Sequence, residues 1–223
     1  MIGSLLAPAC KAWLRSQVSQ VESLEVDITG KSRLILGGMI PQVSVVATGA
    51  VYEGLSLGSI DLIAQNIQID LQSVIKGQPL RLLAPINVLV EAKFTAVDLQ
   101  ASLAAPLLAQ AISDLFAQIL AVDQTGWIVN WHQIQIGSRA LILQGNLTLE
   151  AQPPTAIEIS MGINLQDGHI LQLDPIEISC SIKDLPGRDI TQYQIDLGSD
   201  VNITQLTLTP GELICRCQIQ VNP

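Results

Sequence analysis

The pentapeptide Gly54-Leu55-Ser56-Leu57-Gly58 matches the G-x-S-x-G pattern that, in α/β-hydrolases, turns a strand sharply into a helix and presents a serine for attack on an acyl carbon. That chemistry needs a base within reach of the hydroxyl, and the chain has two histidines, His132 and His169. His132 lies between Trp131 and Gln133 in a strand-like stretch, and His169 follows Asp167-Gly168 in a turn. The residues after Gly58 keep a period of two, so the helix that the elbow requires is missing. A serine hydrolase acting through Ser56 is therefore the minor alternative. Ser56 reads as an ordinary residue in a connection between strands.

Other reactive side chains are no better placed. The four cysteines, Cys10, Cys180, Cys215 and Cys217, do not make a spaced disulfide framework. Cys215 and Cys217 share one strand face and could hold a soft metal, but thiols packed in an apolar interior are the plainer reading. Asp174, Glu177, Asp184 and Asp189 offer carboxylates to calcium, yet they are spread over strand and turn positions rather than one loop. They read as a solvated face. The chain has no phosphate loop, dinucleotide fingerprint or Cys-x-x-Cys motif, so no catalytic residue, metal or cofactor is expected. Asn146-Leu-Thr and Asn202-Ile-Thr are formal sequons that matter only in a secreted eukaryotic chain.

The bulk composition narrows the class. Of 223 residues 48% are hydrophobic but only 3% aromatic, so the interior must be mostly aliphatic. A net charge of −9 argues against nucleic acid, whose binding rests on neutralising phosphates. The charge is uneven, because from Asp114 onward the only bases are Arg139, Lys183, Arg188 and Arg216. An anionic surface would therefore meet the N-terminal half. No run reaches the about 20 apolar residues that span a bilayer. With no basic residue before Lys11 and a short apolar segment, a secretory signal is not expected. The expected location is cytoplasmic or peripheral to a membrane, with the envelope implied only if an export signal has been removed. Oligomeric state is left open.

Patterning then supplies the elements. Leu5 to Val21 predicts an amphipathic helix with Leu6, Cys10, Trp13, Leu14, Val18 and Val21 on one stripe and Pro8 in the first turn. Lys11, Trp13 and Arg15 suit a headgroup boundary and are the membrane-interface candidates. From Ser23 the period becomes two. Inward parity flips between Leu57 and Ile60, and again at Ala64 to Asn66, where a β-bulge is expected. The stretches around Trp127, Leu141, Ile157, Ile176, Tyr193 and Leu213 alternate in the same way, separated by turn signals such as Asp167-Gly168 and Pro210-Gly211. One segment breaks the rule: Thr95 and Asp98 form a short capping box opening a helix that runs to about Ala121, kinked at Pro106 and enclosed on more than one side. The fold class is α+β and β-dominated, a long curved antiparallel sheet wrapped along a central helix with an N-terminal amphipathic helix. It is expected to be one elongated domain, with residues 1–122 as a helix–strand–helix part and 123–223 as a β-meander.

The order of "SLEVDI", "GAVYEGLSLGSIDL", "IKGQPLRL" and "FTAVDLQ", over about residues 12–103, resembles the LmeA-like family of bacterial phospholipid-binding proteins, in particular a cyanobacterial-type member. The resemblance implies a tubular lipid-binding fold with acyl chains on the apolar concave side, and no catalytic motif. Lys76, Arg81 and Lys93, nearest the matching turn and helix start, are the headgroup candidates. Leu107, Ile112, Leu115, Phe116, Ile157, Ile159, Met161 and Ile163 are the acyl-groove candidates. The expected function is non-enzymatic binding of a phospholipid or other acyl lipid, in carriage or envelope maintenance. The alternative is a β-rich scaffold that docks a partner or membrane through its leading helix.

Overall fold

A computed structural model describes residues 3–71, 81–120, 127–149, 153–182, 185 and 190–223. Lys76, Asp184 and Asp189 lie outside the described residues. The chain begins with α1 (Gly3–Gln17), β1 (Ser23–Thr29), α2 (Ser32–Leu36), β2 (Met39–Tyr52), β3 (Leu55–Gln68) and β4 (Ile86–Thr95). Two helices follow, α3 (Ala96–Ser102) and α4 (Pro106–Leu120). Then come β5 (Trp127–Ile136), β6 (Ala140–Leu149), β7 (Thr155–Asp167), β8 (Ile170–Cys180), β9 (Tyr193–Asp196), β10 (Val201–Thr209) and β11 (Glu212–Val221).

The fold is α+β and β-dominated, with an N-terminal helix and antiparallel pairing throughout. The strands divide into two sheets, one of six in the order β1-β2-β3-β4-β11-β10 and one of five in the order β5-β6-β7-β8-β9. The meander expected over the second half stops at β9, since β11 pairs along its whole length with β4. Gly211, in the β10–β11 turn, joins the halves: its carbonyl accepts from Ala96 at 2.8 Å and its N–H donates to Ile136 at 2.9 Å.

Between the sheets the chain turns sharply. Both halves of the capping box form, with the Thr95 N–H donating to Asp98 Oδ2 at 2.8 Å and the Asp98 N–H donating to Thr95 Oγ1 at 3.2 Å. The kink expected at Pro106 is a complete break, with α3 and α4 at 87°. Proline cannot donate to Ser102 and disfavours helical backbone at Ala105, so it starts a new helix instead of bending the old one. Nor is α4 enclosed. Ile112, Phe116 and Ile119 pack on the five-stranded sheet, with Phe116 edge-on to Trp131 at 5.6 Å, while Leu107 on the opposite side is 50% exposed.

In the first half, α1 covers β1 to β3. Ala7 and Cys10 pack over Ile28, Ile35, Ile40, Ile67 and Ile69, and Leu14 and Val18 pack over Leu24, Val45 and Ala47. Trp13 lies beside that stripe and is exposed, because residues four apart already fill the contact line. Pro8 stands inside α1 rather than in its first turn. Both parity flips occur, but without an inserted residue: β2 and β3 keep one register from Met39↔Gln68 to Tyr52↔Leu55. Pairing lapses only at Gly49/Gly58 and Pro41/Asn66, where Gly49 has φ 57° and Asn66 has φ 55°. One residue in left-handed backbone opposite a gap turns the strand over as a bulge would.

Because Ile119 is almost wholly buried and Leu107 is not, Ile119→Ala is expected to cost about 2–5 kcal/mol of stability, and Leu107→Ala no more than about 0.5 kcal/mol. Urea unfolding of both variants checks this. Equal costs would place α4 in a different orientation.

Candidate functional site

The G-x-S-x-G motif is a hairpin. Glu53 and Gly54, with φ 49° and 85°, form the two-residue turn between β2 and β3 that right-handed strand twist favours. Ser56 lies in β3, paired with Val51, and its backbone N–H donates to Ser102 Oγ at 2.8 Å. Gly58 is small because α3 needs the room: a Cβ there would stand 2.6 Å from Asp98 Oδ2. Both histidines lie on the other sheet, His132 as the extra residue of a bulge in β5 and His169 in the β7–β8 turn. Among the described residues no group of three or more His, Cys, Asp or Glu could hold a metal ion.

An aliphatic cleft of about 490 Å³ lies between α4 and the five-stranded sheet, and a roomier but less apolar depression of about 720 Å³ lies beside Trp13 and Arg81. Inward alternation supplies one wall: Ile134 of β5, Leu141 and Leu143 of β6, Met161 and Ile163 of β7, Leu171 and Leu173 of β8, and Tyr193 and Ile195 of β9. Leu108, Ala111, Ile112 and Leu115 of α4 supply the other. Among the described lining residues the polar groups are Asp114, Gln118, Tyr193, Gln194 and Asp196. The Tyr193 hydroxyl donates to Gln118 Oε1, linking β9 to α4. Asp114 accepts from Gln110 at 2.7 Å and Asp196 from the Gly198 N–H at 2.8 Å. Among the described residues no lysine or arginine lines the cleft.

The sequence candidates separate accordingly. Ile112, Leu115, Met161 and Ile163 line the cleft. Phe116, Ile157 and Ile159 belong to the closed core beneath it. Leu107 faces away. Lys93 is held by Glu212 at 2.5 Å, far along the first sheet. Arg81 shares a second depression with Trp13, Asp70, Leu82, Leu83, Asn222 and Pro223, so one headgroup candidate and one interface candidate do meet. Lys11 and Arg15 are exposed on α1. The cleft walls from β6, β8 and β9 were signalled by the same alternation as β7.

A further apolar surface lies on the six-stranded sheet. Val90, Ala92 and Phe94 share a face with Leu213, Cys215, Cys217, Leu206 and Leu208, all half-buried, and this face continues the one that α1 covers. The reverse is mixed: Arg216 is bonded to Glu91 at 2.7 Å and to Gln205 at 2.8 Å, while Val46, Ile63 and Leu89 stand exposed on the same side. Both thiols are half-buried on this face. The hydrogen bond from Cys215 brings Cys217 down to about 7, while the same bond and burial push Cys215 up.

An aliphatic cleft with polarity confined to its rim is the geometry of a receptacle for apolar matter. The chain belongs to the LmeA-like phospholipid-binding family, whose sequence model matches residues 1–218. The match continues through the C-terminal strands, well past the segments that carry the resemblance. That family is a lipid-binding one and not a family of enzymes. Neither the curated proteins nor the solved structures contain a significant match to this chain.

Thiolate is the species that alkylates, so iodoacetamide labelling of Cys217 is expected to rise with pH about a midpoint near 7. Cys215→Ala should move that midpoint upward towards the usual thiol value, as followed by peptide mass spectrometry. A midpoint indifferent to Cys215 would refute the thiol–thiolate bond. Ser56→Ala is expected to leave lipid binding and folding unchanged, as measured by lipid retention and thermal melting.

Proposed function

We propose that the cleft beside α4 holds acyl chain from a membrane lipid, and that the protein is a non-enzymatic binder that carries or retains such lipid at a membrane. The observation that carries this reading is the division of the cleft into an aliphatic interior and a polar rim. Burying methylenes contributes about 0.8 kcal/mol each, so even ten of them would supply roughly 8 kcal/mol before the costs of binding. Specificity then rests on the rim. Asp114 and Asp196 repel a bare phosphate, whereas their carboxylates and the amides of Gln118 and Gln194 accept hydrogen bonds from an ammonium or hydroxyl. The reading therefore favours a zwitterionic or hydroxyl-bearing headgroup, and it moves headgroup recognition away from Arg81 and Lys93.

No single described helix is long and apolar enough to cross a membrane. Contact with a bilayer is peripheral in this reading, with Lys11, Trp13 and Arg15 as its candidates on α1.

Ala111 lines the cleft from the exposed side of α4, so Ala111→Trp fills the space without entering the core. Native mass spectrometry of the purified protein is expected to find bound lipid. Ala111→Trp should reduce it at least about tenfold with little change in thermal midpoint. If lipid occupancy survives a filled cleft, the acyl site lies elsewhere; absence of lipid under all loading conditions would remove the function.

A further inference from the structure

We infer that one end of the six-stranded sheet, led by α2, is the surface that enters an anionic bilayer. This rests on the lipid-binding reading but concerns a different part of the molecule. The β1–β2 connection, the start of β2, the end of β3, the segment before β4 and the end of β11 all meet at that end. α2 exposes Leu34 and Leu36, the latter 62% exposed, and Met39 follows at the start of β2. Leu83 is equally exposed. Pairing through Gln68 sets Met39 and Leu83 on one outer face, since Gln68 opposes Met39 and its carbonyl accepts from Leu83 at 2.8 Å.

These side chains are displayed by a fastened tip rather than a loose loop. Ile35, between the two leucines, is completely buried under α1. The Ile69 N–H donates to the Gly38 carbonyl at 2.9 Å, and a Cβ on Gly38, which has φ 82°, would come within 2.6 Å of the Ile69 carbonyl. The tip is thus pinned to the end of β3. Water contact at four large apolar side chains on a pinned surface is relieved only by an apolar phase or partner.

Charge identifies the phase. The chain carries −9, yet Lys11, Lys31, Arg33 and Arg81 are exposed at this end. Three carboxylates share this end and keep their charge, Asp27 accepting from Thr29 at 3.0 Å, Asp200 accepting from Asn222 at 3.4 Å and Asp70 with an interaction of its own, so the four bases leave it slightly cationic on an otherwise acidic chain. Of the other large apolar residues at least half exposed, Val97, Leu107 and Ile128 fall in a stretch without lysine or arginine, Leu89 stands alone in mid-strand on β4, and Trp13 lies on α1 beside Lys11. Leucines flanked by cations whose stems reach from the acyl boundary to the phosphates match the headgroup layer of an anionic membrane.

Vesicle flotation tests this with phosphatidylcholine alone and with about 30% phosphatidylglycerol. The intact protein is expected to bind the anionic vesicles about tenfold more tightly. Leu34→Asp with Leu36→Asp should abolish flotation, and Lys31→Gln with Arg33→Gln should erase the preference for anionic vesicles. Both should keep wild-type lipid in native mass spectrometry, which reads the cleft independently. A dye on Leu36→Cys should shift to the blue on anionic vesicles, and this needs no destabilising charge. Unaltered flotation of the leucine variant, or no dye shift, overturns the docking surface while leaving the cleft reading intact. Loss of lipid from the unmutated protein would instead strike the cleft. Conversion of a dimer to a monomer by the leucine change, seen by light scattering, would make the tip a contact between copies and overturn the proposal.

Discussion

The near right angle between α3 and α4 is the constraint on which the rest of the molecule depends. Pro106 forbids one continuous helix, and the capping box at Thr95 fixes where α3 leaves the first sheet. Had the helix run straight, α4 could not lie over β5 to β9, and the cleft would lose a wall. Around the bend the contacts are close. Ser102, almost fully buried, accepts from Ser56 and donates to the Asp98 carbonyl, while Gly58 lets α3 down onto β3. A sequence resembling a nucleophile elbow is in fact the seat of this joint.

Alternation made most strands legible because each sheet buries one face more than the other. Period two reports which face is buried but not which strand lies alongside, so the division into two sheets was hidden. The pairing of β11 with β4 joins residues more than 100 positions apart and has no local mark. β10 escapes the pattern because a bulge between Ile203 and Gln205 interrupts it. β4 escapes because Val88, Leu89 and Val90 are all apolar, although Leu89 faces solvent. The break at Pro106 was visible as a proline, but its angle is set by the sheets on either side.

The site was legible in kind more than in place. Aliphatic composition and one-faced strands announced a greasy interior, and half of the helix and β7 candidates do line the cleft. Proximity along the chain does not gather the charges at the cleft: Lys93 pairs with Glu212 on the first sheet, and the described rim carries carboxylates. The uneven charge noted in the sequence thus has a spatial form. Cations gather at the α2 end of one sheet, and acids border the cleft of the other.

The cleft's outermost wall is β9, a strand of four residues paired on one side only and tied to α4 by Tyr193 and Gln118. Edge strands this short are the least costly part of a sheet to displace. Exchange of a bound chain would then follow fraying of this margin, with α4 and the core under it left at rest. For a lipid held in the cleft as proposed, residence time would be a property of a few backbone bonds and one latch, separable by mutation from the affinity set by the aliphatic walls.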